Sequence, residues 1–287
     1  MSAEYAYSGP YESLRSLPAR CLSRYGPACH YVRVVKGTFF MGRVTTKVKL
    51  IRATQDSEEL IASAARLCYA HDAEQAFRRN SEESGDFVRK LMKMGHTSPT
   101  EHAVFTFYIE GVSRAMTHQL VRHRLASYSQ RSQRYVDHGG FDYVVPHQFE
   151  GRKVEVDGRQ IDAAAYFEQT MAMIAERYDK LRDAIGEKGE TSNEEARYVL
   201  PNACETKIIV TMNARELRHF FEERLCMRAQ WEIRIMADEM LKLVKQVCPV
   251  LFAGAGPKCI RLRYCPEGKK SCGDFDRISR RYGDRGS

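Results

Sequence analysis

Five arginines stand close together in a part of the sequence that contains no acidic residue. Between Glu110 and Asp137 there is no Asp, Glu or Lys. The arginines are Arg114, Arg122, Arg124, Arg131 and Arg134. A guanidinium group binds phosphate oxygens in a planar, bidentate geometry, so arginines without acidic neighbours are suited to an anion. The pattern therefore predicts an anion-binding site, and a solvated basic helix end is the alternative interpretation.

The net charge of +8 does not by itself indicate a nucleic-acid-binding protein. Residues 1–52 and 258–287 together contain 18 basic and six acidic side chains, whereas residues 53–257 contain 27 basic and 31 acidic ones. An RNA-binding module would carry positive charge on its folded body. A structural helical scaffold would leave the acid-free arginines unexplained. We therefore expect an enzyme without a nucleic-acid partner.

Two common nucleotide-binding motifs are missing from the sequence. It contains neither Gly-x-Gly-x-x-Gly after a predicted strand nor Gly-x-x-x-x-Gly-Lys-Ser/Thr, so arginines and helix N-termini would have to hold a nucleotide.

No apolar run approaches the roughly 20 residues that span a bilayer. The first 30 residues also lack the apolar core of a secretion signal. We expect a cytoplasmic protein with no membrane partner.

The nine cysteines include no Cys-x-x-Cys pair. Four of them occur in apolar or helical stretches, which is typical of buried free thiols. These are Cys68, Cys204, Cys226 and Cys248. Cys259, Cys265 and Cys272 are denser in the sequence, but their spacing fits no common zinc-ligand pattern. We therefore predict no metal site, and a zinc or disulfide role for these three is the less favoured alternative.

Hydrophobic spacing predicts the elements that must position the arginines. Alternating apolar residues indicate strands, which are expected near 47–51, 104–109 and 206–212. Apolar residues three or four apart indicate helices, which are expected after Asp56, up to Gly95, up to Gly186 and from Trp231 to Pro249. Few strands, long helices and no regular β-α alternation predict an α+β fold.

Polar residues mark further helix starts and suggest the domain limits. Ser113 and Asn213 are predicted helix caps, and the helix after Ser113 is expected to continue into the arginine-rich interval. Ser192 is expected to open a short helix that stops at Pro201. Residues 1–40 show no sustained period and are predicted to be a weakly structured leader. A domain over 41–257 and a basic, cysteine-containing tail over 258–287 follow.

Five separated blocks of the sequence resemble the flavin-dependent thymidylate synthases. The family signature is Arg-His-Arg, seven residues, then Ser, which here is Arg122, His123, Arg124 and Ser132. The other blocks appear in the family's order: Gly95-His96-x-Ser98-Pro99-x-Glu101-His102, Ala196-Arg197-x-Val199-Leu200-Pro201, Asn213-Ala214-Arg215-x-Leu217-x-His219-Phe220 with Arg224, and Ala229-Gln230-Trp231-Glu232. The resemblance covers approximately residues 45–255.

This resemblance implies reductive methylation of dUMP to dTMP for thymidylate biosynthesis. It implies methylenetetrahydrofolate as the one-carbon donor and NADPH as the reductant, acting through bound FAD. It further implies a non-Rossmann flavoprotein with an antiparallel or mixed sheet packed by long helices, and a homotetramer with shared active sites. All of these ligands are anionic, which agrees with the arginine cluster. Another flavoprotein acting on nucleotides is the alternative.

The resemblance also implies a role for individual residues. Arg224 is the expected catalytic residue, because a permanent charge beside the uracil would stabilise its anionic form. Ser132 is expected to be a positioning donor rather than a nucleophile. The residues expected to hold dUMP are Gln119, Leu120, Val121, Arg122, Gln130, Arg131, Ser132, Gln133, Arg134, Arg197 and Arg224.

The same resemblance assigns a second set of residues to FAD. Gln130 and His219 stand where other members of the family carry Glu and Asn. His96 and Tyr135 are expected to border the face of the flavin on which folate or nicotinamide stacks, with ordinary core packing as the alternative. The residues expected to contact FAD are Ser98, Glu101, Arg122, His123, Arg124, Leu125, Gln130, Asn213, Ala214, Arg215 and His219.

Overall fold

The computed structural model describes residues 41–77, 81–187 and 189–283. The predicted leader, residues 1–40, lies outside these described residues, as do the last four residues of the predicted tail. None of the helices within the described ranges combines the length and the apolar character that crossing a bilayer requires.

An antiparallel sheet of four strands forms the centre of the fold, with the spatial order β1-β2-β6-β3. A separate antiparallel hairpin consists of β4 and β5. The strands are β1 (Lys47–Ala53), β2 (Val104–Ser113), β3 (Ala126–Gln130), β4 (Lys153–Val156), β5 (Arg159–Asp162) and β6 (Glu205–Asn213).

Helices account for most of the rest of the described chain. They are α1 (Ser57–Leu67), α2 (Ala73–Ala76), α3 (Ser81–Met94), α4 (Arg114–Leu120), α5 (Ala163–Ile185), α6 (Glu190–Ala196), α7 (Ala214–Arg224), α8 (Trp231–Val247), α9 (Lys258–Leu262) and α10 (Phe275–Tyr282). Short 3-10 turns lie at Ser98–His102, His147–Phe149, Arg197–Val199 and Gly268–Lys270. The predicted α+β class is confirmed, and the sheet is antiparallel throughout.

One face of the sheet carries the main hydrophobic core. Side chains alternate across a strand, and Phe105, Phe107 and Ile109 of β2 are all fully buried. The same alternation buries Ile208, Val210 and Met212 of β6. Each large apolar side chain of this kind contributes about 1.5–3 kcal/mol when it leaves water. The core therefore depends most on the two central strands, which pair along most of their length.

A bulge in β2 requires a glycine at position 111. The pairing of β2 with β6 shifts register between Ile109 and Val112. Gly111 has a φ of 69°, which side chains rarely adopt. A Cβ there would lie 2.0 Å from the carbonyl oxygen of Thr45. The bulge also lets the Gly111 N–H donate to Glu205 Oε1 at 3.0 Å.

The segment after residue 257 packs onto the same core as the rest of the chain. Ile260, Ile278 and Tyr282 are buried members of the main hydrophobic cluster. The Tyr282 hydroxyl donates to Asp238 Oδ1 of α8 at 2.8 Å. A second, smaller cluster joins Met171 and other residues of α5 to the segment around Tyr143.

Several predicted helix ends are confirmed. The side chains of Ser113 and Asn213 accept hydrogen bonds from the third residue after each, at the starts of α4 and α7. Gly95 and Gly186 follow the ends of α3 and α5 with positive φ angles, as expected of helix C-termini.

Other details of the sequence prediction are wrong. Asp56 has a left-handed backbone and forms no side-chain cap bond. The short helix opens at Glu190 rather than at Ser192. The helix after Ser113 ends at Leu120, so Arg122 lies in the turn that follows, where the backbone is bent by hydrogen bonds to the last helical carbonyls. Strand β3, the β4–β5 hairpin, α9 and α10 were not predicted, because their short segments carry no sustained period.

A buried carboxylate joins α8 to the junction of β2 and α4. Glu232 Oε1 accepts from the Ser113 N–H at 2.6 Å, and Oε2 accepts from the Ser113 hydroxyl at 2.7 Å. Burial raises the pKa of Glu232, and the bonds from Ser113 oppose that rise. Because Ser113 Oγ also caps α4 through the Met116 N–H at 3.0 Å, Glu232 sets the start of the helix that leads to the arginine-rich turn.

We expect Glu232→Ala to lower the free energy of unfolding by about 2–3 kcal/mol, because it leaves the buried N–H and hydroxyl of Ser113 without an acceptor. Glu232→Gln keeps an acceptor oxygen and should cost less than half as much. Urea unfolding at fixed protein concentration measures both. Glu239→Ala on the same helix is the control and should change stability by at most about 0.5 kcal/mol. An equal loss for Glu232→Ala and Glu239→Ala would contradict this role of Glu232.

Candidate active site

The turn between α4 and β3 directs one side chain inward and its two neighbours outward. The N–H of His123 donates to the Leu120 carbonyl at 3.1 Å. The Tyr128 hydroxyl reaches the carbonyl oxygens of Leu120 and His123 at 2.9 and 2.8 Å. His123 is 6% exposed, whereas Arg122 and Arg124 are exposed. The turn therefore presents two guanidinium groups to solvent on either side of a buried imidazole.

His123 is hydrogen-bonded at both ring nitrogens by residues of α7. Its Nδ1 lies 3.1 Å from Glu216 Oε1, and its Nε2 lies 3.0 Å from Arg224 Nε. Because arginine only donates, Nε2 must accept, and the ring proton is on Nδ1 and donates to Glu216. Burial lowers the pKa of His123, and the charge of Arg224 lowers it further. His123 is therefore a neutral link that holds Arg224 in place.

Glu216 is a residue of the candidate site that the sequence did not reveal. Its position after Asn213 indicated only a helix start, and the helix N-terminus does contain the bond from the Glu216 N–H to Asn213 Oδ1 at 2.9 Å. The carboxylate is 6% exposed and accepts from His123. Nothing in the local pattern shows that this side chain faces a histidine more than 90 residues earlier in the chain.

Two of the five clustered arginines have acidic partners from distant parts of the chain. Arg131 Nη1 lies 3.7 Å from Glu205 Oε2. Arg134 pairs with Glu190 at 2.7 Å and with Glu194 at 3.0 Å. The expectation that the whole cluster lacks acidic neighbours is therefore wrong for these two, because the acids come from α6 and β6.

Arg122 and Arg124 keep the isolation that the sequence indicated. Neither side chain forms an ion pair or a hydrogen bond with any residue in the described ranges. Arg114 is half-buried, and burial together with the nearby charge of Arg197 lowers its pKa. The two positive charges repel each other, so an anion bound between Arg114 and Arg197 would be stabilised by both. Arg114 belongs to the predicted anion-binding cluster, but it was not among the residues assigned to dUMP or FAD.

The loop after β3 is shaped by side-chain hydrogen bonds. Ser132 Oγ accepts from the N–H groups of Arg134 at 3.0 Å and Tyr135 at 3.3 Å. These two bonds fix the turn of the chain that follows Ser132. Gln130 Nε2 donates to the hydroxyls of Thr117 at 3.1 Å and Thr206 at 3.3 Å, so its amide orientation is set by α4 and β6.

A cavity of about 350 Å³ brings together three of the residues predicted to lie near the flavin. His96, Ser98 and Arg215 line it, and Arg215 pairs with Glu101 at 2.5 Å. Its remaining wall includes Tyr69, Phe87 and Leu91. Apolar walls with a few polar groups are suited to an aromatic ligand, and a guanidinium group is suited to a phosphate. This lining therefore fits part of a flavin dinucleotide.

The remaining residues that are predicted to bind ligands differ in their exposure to solvent. Leu120 and Ala214 are fully buried in the main core. Gln119 and Gln133 are half-buried. The side chains open to solvent include Val121 (43%), Leu125 (71%) and Tyr135 (66%), together with His219, whose ring lies 5.9 Å from that of His123.

Arg224 faces a different cavity from Arg215. It is half-buried at the end of α7 and lines a cavity of about 220 Å³ together with residues of the C-terminal segment. The predicted site residues of one chain therefore lie in three places. These are the cavity lined by His96, Ser98 and Arg215, which we call the flavin-like cavity because its lining suits a flavin, the exposed arginines of the α4–β3 turn, and the end of α7.

Known proteins match this chain over most of its length. The family model described as "Thymidylate synthase complementing protein" matches residues 49–250. The flavin-dependent thymidylate synthase of Nitratidesulfovibrio vulgaris is 48% identical over 82% of this chain and 97% of its own. That of Geobacter sulfurreducens is 50% identical, again over 82% of this chain and 97% of its own.

A solved structure matches as well. The UMP/dUMP methylase PolB from Streptomyces cacaoi, bound with 5-Br dUMP, superposes with a TM-score of 0.60 and 26% identity. The match covers 73% of this chain and 94% of that one. With these relatives and the family model, the chain belongs to the flavin-dependent thymidylate synthase family.

Proposed function

We propose that the protein converts dUMP to dTMP by reductive methylation, with methylenetetrahydrofolate as the one-carbon donor, NADPH as the reductant and FAD as the bound cofactor. The observation that carries this proposal is the Glu216–His123–Arg224 chain of hydrogen bonds beside the exposed Arg122 and Arg124. It combines one oriented cation with two cations that have no acidic partner in the described residues. We also propose a cytoplasmic location.

FAD, when bound, supplies the hydride that a reductive methylation requires. The residues proposed to hold it are those of the flavin-like cavity and the α4–β3 turn, with Arg215, Arg122 and Arg124 binding its phosphates. Leu125 offers an exposed apolar side chain to its rings. His123 has protein partners at both nitrogens, so we propose that it acts on the site chiefly through Arg224.

Arg224 is proposed to stabilise negative charge on the uracil ring. Its Nε is bound to His123, and the two terminal nitrogens remain to face a ligand. A cation already oriented before the reaction stabilises developing charge without a cost of reorganisation. The proposed dUMP-binding residues on the loop after β3, including Ser132 and Arg134, would hold the nucleotide in both its ground and transition states.

We further propose a homotetramer in which neighbouring chains complete each active site. Leu125 and Tyr135, which are predicted to contact ligands, are largely exposed in the single chain. Arg122 and Arg124 point away from the buried His123 between them, so they are able to serve a site that a second chain completes. Sedimentation equilibrium measures the assembly, and a monomer that binds FAD tightly would contradict it.

Tritium release from [5-³H]dUMP tests the reaction itself. We expect release by the purified FAD-containing protein when methylenetetrahydrofolate and NADPH are both present, with dTMP as the product. Omitting the folate should abolish dTMP formation, because no carbon donor remains. Absence of dTMP from the complete mixture, with FAD bound, would contradict the proposed function.

Replacing Arg224 should mainly reduce kcat. If its charge acts on the activated uracil, Arg224→Ala should lower kcat by about 10²–10³, with a smaller change in the KM for dUMP. Arg224→Lys keeps the charge without the planar fork and should rescue only partly. Arg134→Ala should mainly raise KM. Arg177→Ala, on an exposed position of α5, is the control. A normal kcat for Arg224→Ala with a raised KM would show that Arg224 only binds the nucleotide.

The link through His123 predicts an acid limb in the pH profile. Its pKa is lowered from 6.5 in the folded protein, so the ring is neutral at pH 7 and gains a proton at Nε2 only below pH 6.5. Protonation of Nε2 removes the acceptor for Arg224, so kcat should fall as the pH is lowered below the pKa of His123. His123→Gln removes this titration, so we expect a lower kcat with a flatter acid limb. FAD content is measured alongside, and an unchanged acid limb in His123→Gln would contradict the link.

A further inference from the structure

Four cysteines from separate parts of the chain line one cavity at the end of α7. Cys226 follows α7, Cys259 lies in α9, and Cys265 and Cys272 stand on either side of the 3-10 turn Gly268–Lys270. The cavity has a volume of about 220 Å³. Only three other cysteines, Cys68, Cys204 and Cys248, occur in the described residues. The fold thus concentrates most of the described thiols in one place.

The four thiols line the same cavity but are not joined. All four cysteines are free. Cys226, Cys259 and Cys265 are half-buried, and Cys272 is exposed. Four free thiols around a cavity are a set of soft ligands of the kind that selects zinc or an iron–sulfur cluster.

The charges in the lining favour an anionic occupant. The acidic side chains of the lining are Glu222, Glu223 and Glu267, and each is neutralised by an ion pair. Their partners are Arg261, Lys258 and Arg228, respectively. A centre bound by four thiolates has a net negative charge, and the lining presents it with no unpaired carboxylate among the described residues.

We propose that Cys226, Cys259, Cys265 and Cys272 together ligate an iron–sulfur cluster. Tetrathiolate ligation is common to structural zinc ions and to iron–sulfur clusters. The sequence predicted no metal site, because Cys226 lies more than 30 residues before Cys259 and the two spacings among Cys259, Cys265 and Cys272 match no common motif. Tertiary structure adds the fourth ligand.

Of the two forms, the cluster fits the cavity better. In the described residues, no three Cys, His, Asp or Glu side chains are arranged to hold a single metal ion. One tetrahedral zinc, with Zn–S distances of about 2.3 Å, needs its four sulfurs about 3.8 Å apart. A cluster places several metal atoms between the thiolates, so its ligands stand farther apart and around a larger space.

Such a centre would fix the C-terminal segment to the end of α7. Three of the ligands belong to residues 258–283, and the fourth is two residues after Arg224. Metal binding contributes folding free energy where a site assembles from separate segments. The centre is therefore proposed to be structural, and it would hold the part of the chain from which Arg224 extends.

Metal analysis and alkylation of the protein, purified without oxygen, test the proposal. We expect about four iron and four acid-labile sulfide per chain, which identifies a cluster, whereas about one zinc per chain would contradict the cluster. Brief iodoacetamide treatment of the native protein, read by peptide mass spectrometry, should modify Cys68 but not Cys272. Both are exposed free thiols, so only ligation would distinguish them. Chelator treatment should make Cys272 reactive.

Serine substitutions of two exposed cysteines, one a proposed ligand and one not, compare the metal content directly. Cys272→Ser should reduce the metal content to about a tenth or less of that in the unsubstituted protein, whereas Cys68→Ser should leave it unchanged. Circular dichroism establishes whether each variant is folded. The alkylation experiment needs no variant, so the proposal stays testable if Cys272→Ser does not fold. Metal-free protein with a freely reactive Cys272, or a disulfide among the four cysteines under reducing conditions, would overturn it.

Discussion

The buried imidazole of His123 is the constraint on which the geometry of the site depends. A buried ring nitrogen without a partner is costly, and here each nitrogen has one, Glu216 at Nδ1 and Arg224 at Nε2. These bonds attach the turn after α4 to α7. With His123 facing inward, its neighbours Arg122 and Arg124 must face solvent. One satisfied side chain therefore orients a guanidinium group at the end of α7 and exposes two others.

The distribution of acids decides which arginines are available to a ligand. Arg131 and Arg134 have carboxylates from β6 and α6, and a bound anion would have to compete with those carboxylates. Arg122 and Arg124 have no such partner in the described ranges. Arginines that are similar in the sequence thus differ in the structure, since some of them are neutralised and others are not.

The C-terminal segment packs on the same hydrophobic core as the helices that carry the candidate site. Ile260 and Tyr282 are buried in the main core, and Arg261 pairs with Glu222 of α7 at 2.6 Å. The four-cysteine cavity lies where this segment meets the end of α7. Helix α7 therefore contacts both the His123 turn and the C-terminal segment.

The sequence by itself determined the features that depend on neighbouring residues. Alternation in β2, the caps at Ser113 and Asn213 and the glycine at the end of α5 all express local backbone preferences. The α+β class followed from them, and separated motifs indicated the family. Only the tertiary structure decided that Glu216 meets His123, that Arg134 meets Glu190 and that four cysteines share a cavity. These contacts join residues that are far apart in the chain, and their energies arise only when packing removes water and brings the partners within reach.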